Sequence, residues 1–160
     1  MYVMNLLCVC LKVKIPCLRC VSHVEEVLKM DCGAYYLPKE NQGDDAHFIC
    51  VEEQTIGVAD GVGGWKKWGV DSGEYSRELM RNSRKSVHNQ HKGGQEIDPI
   101  RVLEKAYSNT KHVKLGSSTA CIVTLKNTKG GGSGKATLHA ANIGDSGFKL
   151  PCQIHHLWCS

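Results

Sequence analysis

The sequence predicts an α+β domain, and three observations predict it. Apolar, β-prone runs at residues 48–51 and 55–59 flank Glu52, Glu53 and Gln54, the pattern of a hairpin. Two segments, beginning after Asp71 and after Asp98, carry helix-start signals. Two further runs, 117–125 and 136–143, alternate along a period of two, as strands do.

The hairpin is the centre of the chain. It lies within residues 43–64, GDDAHFICVEEQTIGVADGVGG, and has carboxylates at both ends. A hairpin brings its ends together, so Asp44 and Asp45 should lie near Asp60. Carboxylates gathered at one edge repel unless something cationic sits among them. Hard divalent cations such as Mg²⁺ and Mn²⁺ take oxygen ligands of this kind. Gly61, Gly63 and Gly64 leave an open backbone, so the Gly61 carbonyl can also face a metal. Spacing alone does not separate this site from an ordinary Asp-Gly turn and a solvated Asp-Asp loop.

Composition bounds the function classes. With 160 residues, 41% apolar and 22% charged, the chain is long enough for one domain with a core. The net charge of +4 is mild and the basic residues form no long run, which argues against nucleic acid. The few aromatics are not interleaved with Arg or Lys, so no single-strand stacking platform is expected. Nine cysteines is an odd number, and no Asn begins a glycosylation triplet. Cys50 and Cys121 sit inside strand-like runs as buried thiols. A reduced, intracellular monomer is expected, with cytoplasm and organelle (chloroplast or mitochondrion) left unresolved.

Residues 1–30 read as a leader outside the domain. Their apolar stretch is too short to span a bilayer, and Lys12 and Lys14 follow rather than precede it, unlike a secretory signal. Cys8, Cys10, Cys17 and Cys20 suggest a zinc knuckle, but only six residues separate the pairs. Residues 24–30 suit a helical turn or a strand lead-in, and 31–39 a strand entering a loop at Pro38.

Asp71 and Glu74 start a helix that ends near Gly93, with Tyr75, Leu79 and Val87 as its apolar stripe. Ser83, Arg84, Lys85 and Ser86 read as its wet face. Asp98 and Pro99 start a second helix, with Ile100, Leu103, Ala106 and Tyr107 as core.

In the strand at 117–125, Ala120, Ile122 and Thr124 point one way and Cys121, Val123 and Leu125 the other. The Gly-rich turn that follows is no P-loop, because Lys129 and Ala136 occupy positions that need Gly and Ser or Thr. Lys66 likewise stands where a dinucleotide fingerprint needs its third glycine. After the strand at 136–143, Gly144 to Gly147 turn the chain into a return strand over 148–150. The tail 151–160 changes character; its Cys152, His155, His156 and Cys159 read as an unstructured end.

Three segments together resemble the metal-dependent serine/threonine phosphatases of the type 2C (PPM) family. They are Gly43-Asp44-Asp45-Ala46; Val58-Ala59-Asp60-Gly61-Val62-Gly63-Gly64-Trp65; and the pair Gly116-Ser117-Ser118-Thr119-Ala120 with Ala141-Asn142-Ile143-Gly144-Asp145-Ser146. The resemblance covers roughly residues 33–149, in family order. It implies an αββα sandwich, two antiparallel sheets face to face with helices outside. It implies phosphorylated protein substrates and two Mn²⁺ or Mg²⁺ ions, with Asp60 bridging them and the Gly61 carbonyl on one.

On the same resemblance Asp44 takes the place of an acidic ligand that is usually Glu, Asp45 supports it, and Asp145 lies near a third metal position. The implied chemistry is attack on phosphorus by a metal-activated water without a phosphoenzyme. The family also uses Asp ligands well downstream of Asp145, whereas the fifteen residues after it contain neither Asp nor Glu. Residues 31–150 are therefore expected to be the N-terminal part of such a domain, a partial sandwich with weak metal binding and little or no turnover. Two competing expectations are a non-catalytic interaction protein derived from the phosphatase and a cysteine-based metal or redox module at residues 8–20.

Overall fold

The computed structural model describes residues 9–12, 28–35, 43–127 and 136–148, the first of these as backbone only. Strands β1 (Val9–Lys12) and β2 (Lys29–Cys32) form an antiparallel pair, with Val9 opposite Cys32 and Lys12 opposite Lys29. This pair lies across the region set apart from the sequence as a leader. Strand β2 starts two residues earlier than the strand expected at residue 31, and residues 33–35 are irregular. Cys8, Cys17, Cys20, Pro38 and the whole tail from Pro151 lie outside the described residues, and Cys10 is described only as backbone.

The main sheet is antiparallel, in the order β3-β4-β5-β6. Its first two strands are β3 (Asp45–Cys50) and β4 (Thr55–Asp60). They form the expected hairpin, with Asp45 opposite Asp60 and Cys50 opposite Thr55. The turn starts one residue earlier than expected: Val51 belongs to it and is exposed, and Gln54 takes a left-handed φ of 49° to close it. A 3₁₀ turn over Gly63–Trp68 follows, and then α1 (Ser72–Lys92) and α2 (Pro99–Thr110). Both helix starts follow the sequence. Asp71 caps Gly73 N, and Asp98 caps Ile100 N with Pro99 in the first turn, which satisfies donors a helix leaves unpaired. The sheet is completed by β5 (Ala120–Asn127) and β6 (Ala136–Ile143), paired from Ala120↔Ile143 to Asn127↔Ala136.

Each face of the sheet has its own core, because alternate side chains of β5 point to opposite sides. One face buries Phe48, Ala59, Ala120 and Ile122 against Leu79, Met80 and Val87 of α1 and Val102, Leu103 and Ala106 of α2. The other buries Ile56, Cys121, Val123 and Leu125 against Met30 of β2. The result is an α+β fold with helices on one face of a four-stranded sheet.

Two helix-face expectations are corrected. Ser83 and Ser86 are buried rather than wet. Ser83 lies one helical turn from both Leu79 and Val87, so it faces the sheet, and its hydroxyl donates to the Leu79 carbonyl at 2.8 Å. Ile100 and Tyr107 are exposed at 59% and 56%, and Val102 takes the core position beside Leu103 and Ala106. The stripe of α2 is thus rotated from the one its apolar residues suggest. A single helix lies on one neighbouring layer, so only one of its two apolar edges can be covered.

Candidate active site at the end of the hairpin

The predicted acidic edge forms. Asp45 sits directly opposite Asp60 in the β3–β4 ladder. The Gly61 amide donates to the Asp44 carbonyl at 3.0 Å, which extends the pairing one step past the last strand residues. Gly61 is buried here for a reason. A Cβ at this position would stand 2.1 Å from the Ser72 carbonyl oxygen and 2.5 Å from that of Asp44. Only glycine lets the hairpin end and the start of α1 approach this closely.

Asp44 is held from three sides. The Ser72 hydroxyl donates to its Oδ1 at 2.5 Å, and the Ser76 hydroxyl donates to its backbone carbonyl at 2.6 Å. From the 3₁₀ turn, Lys66 Nζ stands 3.1 Å from Oδ2. Because Asp71 fixes where α1 begins, it also fixes which face carries Ser72 and Ser76, and both are fully buried. Arg77, four residues on from Gly73, donates to the Gly43 carbonyl and pairs with Asp71, closing the loop before β3 onto the helix.

The third segment arrives through Thr119. Its amide donates to the Asp60 carbonyl at 2.9 Å, and its hydroxyl accepts from the Asp60 amide at 3.1 Å. The same hydroxyl shares a hydrogen bond with Ser146 Oγ. The turn bearing Asp145 is therefore docked on the residue that pairs with Asp60, and both Asp60 and Asp145 are exposed. Trp65 pins the neighbouring chain, since its indole N–H donates to Ser117 Oγ at 2.9 Å while the Val62 amide donates to the Ser117 carbonyl. So Asp44, Asp45, Asp60 and Gly61 meet at one edge of the sheet, and the Asp145 turn is anchored beside them.

As a donor set the edge offers only oxygen, which suits a hard divalent ion and not a thiophilic one. Both carboxylate oxygens of Asp44 already have partners, Ser72 and Lys66, so an ion taken there must share or displace the ammonium. Sequence reading assigned no role to Ser72, Ser76 or Lys66, and it held Ser117 and Thr119 only as members of a family-like segment. A signal existed for two of them: Ser72 and Ser76 are four apart from a capped start, hence on one helix face.

Comparison with known proteins gives the following. No family model matches the chain. It is 50% identical over 137 residues to "Probable protein phosphatase 2C 55" of Arabidopsis thaliana, covering 83% of this chain and 27% of that protein. It is 55% identical over 127 residues to "Probable protein phosphatase 2C 80" of the same plant, covering 77% of this chain and 28% of that protein. It is 43% identical over 113 residues to the human "Protein phosphatase PTC7 homolog", covering 66% of this chain and 34% of that protein. Among solved structures, that of the photosystem II phosphatase PBCP aligns with a TM-score of 0.45 and 22% identity, over 64% of this chain and 55% of that chain. The chain thus spans between about a quarter and a third of the length of these curated relatives. With 50% and 55% identity to two type 2C phosphatases across most of its residues, the chain belongs to the type 2C (PPM-type) family of protein phosphatases.

Proposed function

We propose that this chain carries part of a metal-dependent phosphoserine/phosphothreonine hydrolase site. In this reading Asp44, Asp60 and the Gly61 carbonyl hold Mn²⁺ or Mg²⁺, Asp45 supports them, and Asp145 serves a further, weaker position. The observation that carries it is the meeting of three sequence segments, around Asp44, Asp60 and Asp145, through the Asp45↔Asp60 pair and the Thr119 bridge. Bound there, the ions would supply Lewis-acid polarisation of a phosphoryl group and a lowered water pKa.

The chain's own residues do the rest. Ser72 and Lys66 orient the Asp44 carboxylate. Thr119 fixes the main chain on both sides of the Asp60 α-carbon. Asp60 is exposed at the strand end, so solvent and a substrate can reach it. Few carboxylates mean weak ion binding, since affinity follows ligand charge and number. Turnover by this chain is accordingly low, and its setting is a reducing, intracellular one.

The test is phosphate release from a phosphothreonine peptide, with and without Mn²⁺, by the chain and by Asp60→Asn. Slow, Mn²⁺-dependent release that Asp60→Asn abolishes is expected. Release that persists in chelator, or in Asp60→Asn, would overturn the assignment.

A further inference from the structure

We propose that Cys50, Glu53 and His88 form a second metal site, of zinc-type chemistry, at the opposite end of the β3–β4 hairpin from Asp44 and Asp60. The thiol sulfur, a carboxylate oxygen and an imidazole nitrogen of these residues all lie within 4.8 Å of one another. Tetrahedral zinc, with bonds of about 2.0–2.3 Å, sets such donor atoms roughly 3.3–3.6 Å apart. Side-chain rotations reach that spacing, with the directly bonded Glu53 oxygen and His88 Nδ1 moving apart to admit the ion. Cys50 is the last residue of β3, so the cluster lies about 17 Å along the strand from Asp45. The two sites share no residue.

The surroundings are built rather than incidental. The Cys50 side chain is 3% exposed and belongs to the helix-side core. The Glu53 side chain is 7% exposed, and His88 of α1 reaches it through Nδ1. The His88 side chain is 40% exposed, which leaves an entry path for an ion, and a water would complete a tetrahedral set. Sulfur and imidazole donors select zinc-like ions over Mg²⁺ and Mn²⁺, so the cation preference is opposite to that of the acidic edge.

Two basic residues border the cluster, the Arg84 guanidinium beside the Cys50 sulfur and His91 near the Glu53 carboxylate. Both residues are exposed and can turn outward as an ion enters. A metal at this point would clamp the hairpin turn to the last turns of α1. It would thereby hold the register that sets Asp45 opposite Asp60.

The experiment is Zn²⁺ titration of the full chain under reducing conditions against a chromophoric chelator, with Co²⁺ as spectroscopic probe. Because the chain holds nine cysteines, the readout is the difference between wild type and His88→Gln, Glu53→Gln and Cys50→Ser. One equivalent of Zn²⁺ should be lost or weakened by at least about tenfold in each variant, as removal of even an outer-shell partner costs that much. Its Co²⁺ form should show a single sulfur ligand, and Asp60→Asn should leave it unchanged.

Equal stoichiometry and affinity in wild type and His88→Gln would overturn the proposal, as would no zinc retained by wild type. The triad would then be an ion pair beside a buried thiol. His88→Gln keeps the test valid if Cys50→Ser fails to fold, because His88 is outside the core.

Discussion

Lys66 Nζ lies 3.1 Å from Asp44 Oδ2, with the Ser72 hydroxyl on the other oxygen of the same carboxylate. An ammonium thus stands where the proposed function needs a divalent ion. Such a group repels an incoming dication by roughly 1–2 kcal/mol in water-like surroundings. Lys66→Met should therefore tighten Mn²⁺ binding about 5- to 30-fold, measured by calorimetry. Stability should fall by less than about 1 kcal/mol, since Lys66 is half-exposed and such pairs are weak. Unchanged or weaker Mn²⁺ binding would mean that Asp44 is not a ligand.

Thr119 joins three segments through one hydroxyl, which accepts from the Asp60 amide and shares a bond with Ser146. Thr119→Val keeps the shape and removes both bonds. A loss of about 0.5–1.5 kcal/mol in urea unfolding is expected, because the Asp60 amide lies at an exposed site where water can replace the lost acceptor. Mn²⁺ affinity should fall with it as the Asp145 turn loosens. A variant with wild-type stability and metal affinity would show that Thr119 is a bystander.

The core stripe of α1, as expected, and the corrected face of α2 make a paired stability test. Leu79→Ala in the helix-side core should cost about 2–5 kcal/mol. Ile100→Ala, at an exposed site, should change stability by no more than about 0.5 kcal/mol. Comparable losses at both positions in denaturant unfolding would contradict the observed rotation of α2.

Burial pushes the Cys121 thiol above its ordinary pKa of 9.0. The folded state therefore favours the protonated thiol. The sign follows: that preference stabilises the fold fully below pH 9 and is lost as pH rises through the higher folded value. Alkylation at mildly alkaline pH, followed by peptide mapping, should find Cys121 unmodified in the native chain and modified in denaturant. Rapid native labelling would place the thiol at the surface.

The pattern of the hairpin, both helix caps and the alternation of β5 are legible in the sequence, because each depends on local chemistry. An Asp before a helix, a Pro in its first turn and a period of two are constraints that neighbouring residues impose on one another. The meeting of Asp45 with Asp60 is legible for the same reason, since a hairpin makes its two ends neighbours.

What the sequence left open is non-local. Whether Ser83 or Ile100 is buried depends on which edge of a helix meets the sheet, and that is set by packing against strands far away in the chain. The Lys66–Asp44 pair spans the hairpin and the 3₁₀ turn, and the Thr119–Ser146 bond ties the residue before β5 to the turn after β6, at one end of that pair. His88 comes to Cys50 and Glu53 only because α1 runs along β3 from Ser72, at the acidic edge, to its far end. The sequence by itself determined the hairpin, both helices, the β5 and β6 strands and the family they belong to, but not β1, which lies in the segment read as a leader. Only the tertiary structure decided which side chains share a site, because contacts between distant residues are fixed by how the layers pack.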